Sequence, residues 1–162
     1  MPKVRYTASK GLFQESGSGV ALVDPSGVTM RRKVIAWTAD KTLTSADSGA
    51  LVFCTQTSTA IDLEIPTAAA AGSGWFVDVI LKTASTAAAN IDTQADSSLV
   101  FIHCADGGTD SAADTVETKR TISFSADATV NSRINIVSDG SVYFVRGFTG
   151  TTAEIAIADT GV

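Results

Sequence analysis

The sequence TLTSADSGALVFCTQTSTAIDLEIPTAAAAGSGW, residues 42–75, decides the fold of this chain. Near its middle, Ile61, Leu63 and Ile65 alternate with acidic residues, which is the period of a strand with one buried and one solvated face. Pro66 has no backbone N–H to donate to a sheet ladder, so it ends that strand. The Asp-Ser-Gly sequence at 47–49 is typical of a turn and precedes an apolar segment. The stretch therefore predicts two short strands that form scaffold rather than a reaction centre.

Strand signals recur at short spacing through the rest of the chain. Nine strands are predicted, near residues 34–37, 51–54, 61–65, 75–82, 98–104, 120–125, 130–137, 142–146 and 153–158. The sequence SDGS at 138–141 separates two alternating segments and predicts a hairpin. The Ala-rich pieces at 67–71 and 84–90 are long enough for a single helical turn at most. The predicted fold class is all-β, a compact antiparallel β-sandwich or barrel, because no amphipathic helix is present to connect parallel strands.

Length and composition place the chain among globular proteins. A chain of 162 residues can bury roughly 70% of the surface that its unfolded form exposes. We expect no transmembrane helix and no secretory signal, because no apolar run is long enough for either. Cys54 and Cys104 lie in apolar, strand-like segments. They could pair, but we expect reduced thiols in the core, in keeping with assembly in a cytoplasm.

Basic side chains are concentrated at the N-terminus. Residues 1–33 carry six basic and two acidic residues, a net charge of +4, whereas the other 129 residues carry six basic and 15 acidic residues, a net charge of −9. The division predicts an extended basic arm over residues 1–33 and a β-sandwich or barrel body over residues 34–162. The arm is predicted to bind an acidic protein surface rather than nucleic acid, because the acidic body would repel phosphate. The predicted partner-binding residues are Lys3, Arg5, Tyr6, Lys10, Phe13, Arg31 and Arg32.

This Gly-rich arm could be fixed in place in two ways. Its backbone could add a strand to the sheet edge of a partner, which is the favoured interpretation. The alternative is that the arm folds back onto its own body.

The residues that could carry chemistry form no convincing site. His103, the single histidine, could reach Cys54 from a neighbouring strand, but a histidine at a sheet face is the expected role. The sequence DGGTDSAAD at 106–114 has acidic residues in a spacing unsuited to an EF-hand loop, so a solvated loop is expected. Asp62 and Glu64 are expected on a solvated strand face. Trp37 and Trp75 are expected in the core. No catalytic, cofactor-binding or metal-binding residue is predicted, and the chain is not expected to be an enzyme.

Four short motifs within residues 42–76 recur together in a known group of proteins. They are Thr42-Leu43-Thr44, Asp47-Ser48-Gly49, Ile61-x-Leu63-x-Ile65-Pro66 and Gly74-Trp75-Phe76. The arrangement resembles a segment common in virion proteins of tailed bacteriophages, among them capsid decoration (cement) proteins, head fibres and tail-associated proteins. It covers about a fifth of the chain and is a packing pattern, so it indicates a kind of protein without assigning roles to residues.

The resemblance implies a structural role. A capsid decoration protein would be a homotrimer on the outside of the virion capsid, assembled in the host cytoplasm, with the major capsid protein and its own copies as partners. Proteins of this kind clamp neighbouring capsomers and resist the pressure of packed DNA. Neither nucleic acid nor membrane is expected as a partner. The alternative is a head-fibre or tail-associated protein, such as an adhesin that contacts host glycans. A third hypothesis, from another class, is a small hydrolase that uses His103 with Cys54 or an acidic residue.

Overall fold

The computed structural model describes residues 3–7, 11–16, 32–55, 58–84, 86–93, 99–103, 117–126, 128–149 and 155–158. The chain divides into two compact units, Met1–Arg31 and Arg32–Val162. The first is called the N-terminal unit and the second the body.

The N-terminal unit contains a two-stranded antiparallel sheet. Strand β1 (Lys3–Thr7) pairs with strand β2 (Gly11–Ser16), and the register shifts between Lys3 and Val4. Arg5 lies opposite Phe13 in this register. The segment predicted as an extended arm thus contains a hairpin whose two strands bond to each other. Lys10 and Arg31, two of the predicted binding residues, lie outside the described residues.

The described part of the body contains twelve strands and two short helical segments. The strands are β3 (Val34–Trp37), β4 (Lys41–Thr42), β5 (Leu51–Cys54), β6 (Ile61–Ile65), β7 (Ser73–Leu81), β8 (Ala89–Thr93), β9 (Leu99–His103), β10 (Glu117–Lys119), β11 (Thr121–Phe124), β12 (Arg133–Asp139), β13 (Tyr143–Phe148) and β14 (Ile155–Ala158). A 3₁₀ turn spans Ser45–Asp47, and the helix α1 spans Ala68–Ala71. The predicted all-β class is confirmed.

These strands form two sheets that face each other across one core. The seven-stranded sheet has the order β10-β9-β13-β12-β7-β5-β3, and the five-stranded sheet has the order β14-β11-β8-β6-β4. From β3 to β8 the chain alternates between the sheets, so β3, β5 and β7 run parallel in one, and β4, β6 and β8 run parallel in the other. The sheets are mixed rather than purely antiparallel as predicted, because a strand of the opposite sheet, rather than a long helix, connects each pair of successive parallel strands. The architecture is a sandwich.

The core lies between the two sheets and follows the predicted alternation. Ile61, Leu63 and Ile65 of β6 are buried, while Glu64 is exposed. On the opposite sheet, alternate residues of β12 and β13 are buried in the same way. The predictions that Trp37 and Trp75 lie in the core are confirmed, since they are 0% and 2% exposed, and Cys54 also lies in the core. Cys104 lies outside the described residues.

The bounds of β3, β5 and β6 are those predicted, and the hairpin of β12 and β13 is confirmed, with Gly140 at a positive φ in its turn. The prediction of a helical turn at 67–71 is also confirmed, and the hydroxyl of Thr67 caps it. Strands β4, β8 and β10 were not predicted. Residues 84–90 were considered for a helical turn, but their described part leads into β8 instead.

Candidate functional site

The turn before β5 is held by one buried carboxylate. The side chain of Asp47 accepts hydrogen bonds from the backbone N–H of Thr44 (2.8 Å) and from its hydroxyl (3.0 Å), and it also bonds the ammonium group of Lys33. Burial raises the pKa of Asp47, but the bonds from Lys33 and Thr44 outweigh this effect and hold it below the ordinary value. The Asp-Ser-Gly motif therefore has a structural role, because the side chain of its aspartate holds the turn together.

The other motifs of the 42–76 stretch converge on the same region. The indole Nε1 of Trp75 donates to the carbonyl of Thr44 (3.2 Å), and the N–H of Gly49 donates to the carbonyl of Phe76 (2.7 Å). The ring of Trp75 meets the ring of Tyr143 edge to face, with centroids 5.8 Å apart. The N–H of Leu43 also donates to the carbonyl of Glu64 (2.8 Å). These contacts join segments distant in sequence, so the four motifs form one architectural unit.

The side chain of Arg32 contacts residues of the 42–76 stretch. Its guanidinium donates to the carbonyls of Gly49 (2.7 Å) and Ala50 (2.8 Å), forms an ion pair with Asp78, and lies 5.5 Å from the centre of the Phe76 ring. The sequence placed Arg32 in the arm and predicted that it binds a partner. The structure places it in the body, where its hydrogen-bonding groups are engaged by the protein itself.

The His103–Cys54 pair considered in the sequence analysis is not formed. His103 ends β9 and Cys54 ends β5, and the strands β13, β12 and β7 lie between them. Four strand spacings separate the two backbones by about 19 Å. The thiol of Cys54 also faces the buried core. A nucleophile and its base must be within hydrogen-bonding distance, so these two residues cannot act together.

The outer face of the five-stranded sheet carries the acidic residues Asp62, Glu64 and Asp92. Asp62 accepts a hydrogen bond from the amide of Asn90 (2.9 Å), Glu64 accepts one from the hydroxyl of Thr42 (3.1 Å), and Asp92 accepts one from the hydroxyl of Thr121. Burial raises the pKa of Asp92 above its ordinary value, with Asp62 and Glu64 adding to the effect.

Each of these three carboxylates thus accepts a hydrogen bond from a neutral side chain, and this bond supports a structural role for the carboxylate. Within the described ranges, no group of three or more His, Cys, Asp or Glu residues could hold a metal ion. The acidic residues Asp106, Asp110 and Asp114 lie outside those ranges. No helix among the described residues has the length and apolarity needed to span a bilayer.

The outer face of the seven-stranded sheet is different, because it exposes large apolar side chains. Register places Phe76, Val137 and Phe144 in one row across β7, β12 and β13. Their residues are 39%, 38% and 44% exposed, and Phe148 at the end of the same sheet face is 46% exposed. Contiguous exposed apolar residues of this kind are characteristic of surfaces that bind another protein.

A groove of about 830 Å³ crosses this outer face beside the apolar row. The residues that line it include Arg32, Asp78, Arg133, Arg146 and Phe148. This surface was not predicted from the sequence. The signal was present in the outward positions of β12 and β13, where arginine, asparagine and phenylalanine alternate with the buried residues, but it becomes a surface only when the two strands pair.

The predicted partner-binding residues of the N-terminal unit are distributed over both strands of its hairpin. Lys3, Arg5 and Tyr6 lie in β1, and Phe13 lies in β2 opposite Arg5. Their predicted role in binding stays a prediction. Comparison of the chain with known proteins finds no matching protein family, no matching curated protein and no matching solved structure.

Proposed function

We propose that this chain is a structural virion protein that decorates and stabilises the outer surface of a tailed-bacteriophage capsid. The observation that carries the proposal is the 42–76 stretch, whose four motifs resemble those of such virion proteins. In this body, Trp75, Gly49 and Asp47 of those motifs hold the turn before β5 through the bonds described above. A rigid sandwich with an exposed apolar face suits a protein whose task is to bind other proteins.

The N-terminal unit supplies the contact with the major capsid protein. Its basic residues Lys3 and Arg5 lie on β1, and they complement an acidic surface on the shell. Among the described residues, each strand of the two-stranded sheet pairs on one side only, and we propose that its other edge offers backbone groups to a partner strand. Assembly as a homotrimer would place three such hairpins at a junction between capsomers.

The test is the abundance of this chain in purified particles of the phage that encodes it. The decoration role requires a band comparable in copy number to the major capsid protein on a quantitative stained gel. A faint band, a small fraction of the capsid protein, would instead favour the head-fibre or tail-associated role. Absence of the chain from the particles would overturn both.

A further inference from the structure

Two arginines lie close together on the outer face of the seven-stranded sheet. Arg133 of β12 is opposite Phe148 of β13, and Asn135 is opposite Arg146. Arg133 and Arg146 are therefore diagonal neighbours on one face, and both are exposed. Diagonal positions across an antiparallel pair are about 7–8 Å apart, so the two positive charges are near each other.

No carboxylate among the described residues forms an ion pair with either of these two charges. The guanidinium of Arg133 donates to the neutral side-chain oxygen of Asn131 (2.9 and 3.2 Å). Among the described residues that line the groove, Asp78 is the one carboxylate, and it is already bound by Arg32 and by the amide of Asn135 (2.7 Å). Across the described part of the body, neither Arg133 nor Arg146 has an ion pair with a carboxylate. Like charges at such a distance repel, and an anionic ligand would relieve the repulsion.

The same groove has apolar walls next to the arginines. Its apolar lining residues include Leu51, Ile80, Val130 and Phe148, and Val130 is 55% exposed. A ligand that fits therefore combines negative charge with apolar side chains. Arginine beside exposed aromatic residues is also the composition typical of the energetically dominant part of a protein interface.

We propose that this groove binds an extended, acidic segment of a partner polypeptide. The segment has carboxylates at two alternate positions, one for Arg133 and one for Arg146, and a nearby apolar residue that packs on Phe148, which lies opposite Arg133 and two residues from Arg146. Alternate side chains of an extended strand are separated by about 6.6 Å, which matches the spacing of the two arginines. Each guanidinium can bind a carboxylate with two parallel hydrogen bonds.

A polypeptide is favoured over nucleic acid as the occupant. Among the described residues that line the groove, Phe148 is the one aromatic residue, so bases would have little surface on which to stack. The chain's net charge of −5 opposes any anion, but it opposes a phosphate backbone, with one charge per nucleotide, more than a segment with two carboxylates. The inference concerns the body alone and does not depend on the proposed role in a virion. Its failure would leave the abundance test of that role unaffected.

The experiment measures fluorescence anisotropy of a labelled nine-residue peptide, Ser-Gly-Asp-Ser-Asp-Ser-Leu-Gly-Ser, titrated with the full chain. A matched peptide with asparagine in place of both aspartates is the charge control, and a single-stranded oligomer of 15 thymidines tests nucleic acid. We expect saturable binding of the acidic peptide, at least tenfold weaker binding of the asparagine peptide, and weaker binding at higher salt.

Variants of the protein assign the binding to the two arginines. Arg133→Gln and Arg146→Gln should each weaken binding of the acidic peptide about tenfold. Lys41→Gln removes one positive charge from the other sheet, where Lys41 is exposed, and should change binding less than about twofold. In the unmodified protein, the side-chain Nε–H signals of Arg133 and Arg146 should shift in a ¹⁵N NMR titration, a measurement that needs no variant.

Three results would overturn the inference. One is no detectable binding of the acidic peptide up to about 1 mM. Another is equal binding by the Arg133→Gln and Arg146→Gln variants together with unshifted arginine Nε–H signals. The third is tighter binding of the thymidine oligomer than of the acidic peptide, which would identify the surface as a nucleic-acid platform.

Discussion

The hydroxyl of Tyr143 donates a 2.5 Å hydrogen bond to the backbone carbonyl of Pro66. Tyr143 begins β13 in the seven-stranded sheet, whereas Pro66 directly follows β6 in the five-stranded sheet. Both residues are buried, and burial raises the pKa of the Tyr143 hydroxyl. The bond therefore connects the two sheets at the point where the chain leaves β6.

Removing this hydroxyl should destabilise the sandwich. Tyr143→Phe keeps the ring and its contact with Trp75, but it leaves the Pro66 carbonyl without this donor in a buried position. We expect a loss of about 1–2 kcal/mol in the free energy of unfolding, measured by urea denaturation. Phe144→Leu, at the adjacent exposed position, is the control and should lie within about 0.5 kcal/mol of the wild type. Equal stability of Tyr143→Phe and wild type would contradict this role of the bond.

Gly49 should not tolerate an ordinary side chain. Its φ of +80° lies in the left-handed region, while an added Cβ would meet only the Phe76 ring at an acceptable 3.6 Å. The cost of Gly49→Ala is thus conformational, and we expect about 1–2 kcal/mol of lost stability. Asparagine adopts this region more readily, so Gly49→Asn should lose less in the same urea assay. If Gly49→Ala and Gly49→Asn lower the free energy of unfolding equally, steric contact rather than backbone conformation would determine which residues this position tolerates.

Stability at low pH should depend on Asp47. Its pKa in the folded state is held below the ordinary value of 3.8, so its ionised form contributes stability that is fully present above that value. The contribution is lost as the pH falls through the folded-state pKa. Urea denaturation between pH 2 and 7 should show a steeper acid loss for the wild type than for Asp47→Asn. Parallel pH profiles of the two proteins would argue against the prediction.

The ionised form of Asp92 should lower the stability of the fold, whereas the ionised form of Asp47 raises it. Its folded-state pKa is raised above 3.8, so the charged form is disfavoured in the folded protein at neutral pH. This penalty is fully present above the folded-state pKa and disappears as the pH falls toward 3.8. Asp92→Asn retains an oxygen that can accept from Thr121 and removes the charge, so it should be more stable than the wild type at pH 7. The gain should vanish near pH 3. A loss of stability at pH 7 would mean that the charge itself is required.

The N-terminal unit is expected to be necessary for attachment to capsids. Deletion of residues 1–20 removes both strands of its hairpin but no residue of the body. We expect the truncated protein to keep the far-ultraviolet circular dichroism of a β-protein and to lose cosedimentation with phage heads that lack the native protein. A truncated protein that still decorates heads normally would exclude the N-terminal unit as the attachment element.

Local signals in the sequence determined much of the sandwich. The alternation in β6 determined which residues enter the core, and the SDGS turn determined the hairpin of β12 and β13. These features depend on neighbouring residues, so period and turn chemistry are sufficient to predict them. The motif residues of the 42–76 stretch were likewise recognisable as scaffold.

Tertiary structure alone decided how the strands that no hairpin turn joins are paired. Strand β4 is two residues long and β8 carries the buried Asp92, so neither shows a periodic apolar pattern. The parallel pairing of β3, β5 and β7 depends on returns through the opposite sheet, which no local pattern encodes. The groove with Arg133 and Arg146 exists only because the register of β12 and β13 places these residues on one diagonal. Core packing selects the pairing and register that bury the apolar face of each strand, and a shift of either strand by one residue would turn that strand's arginine to the other face.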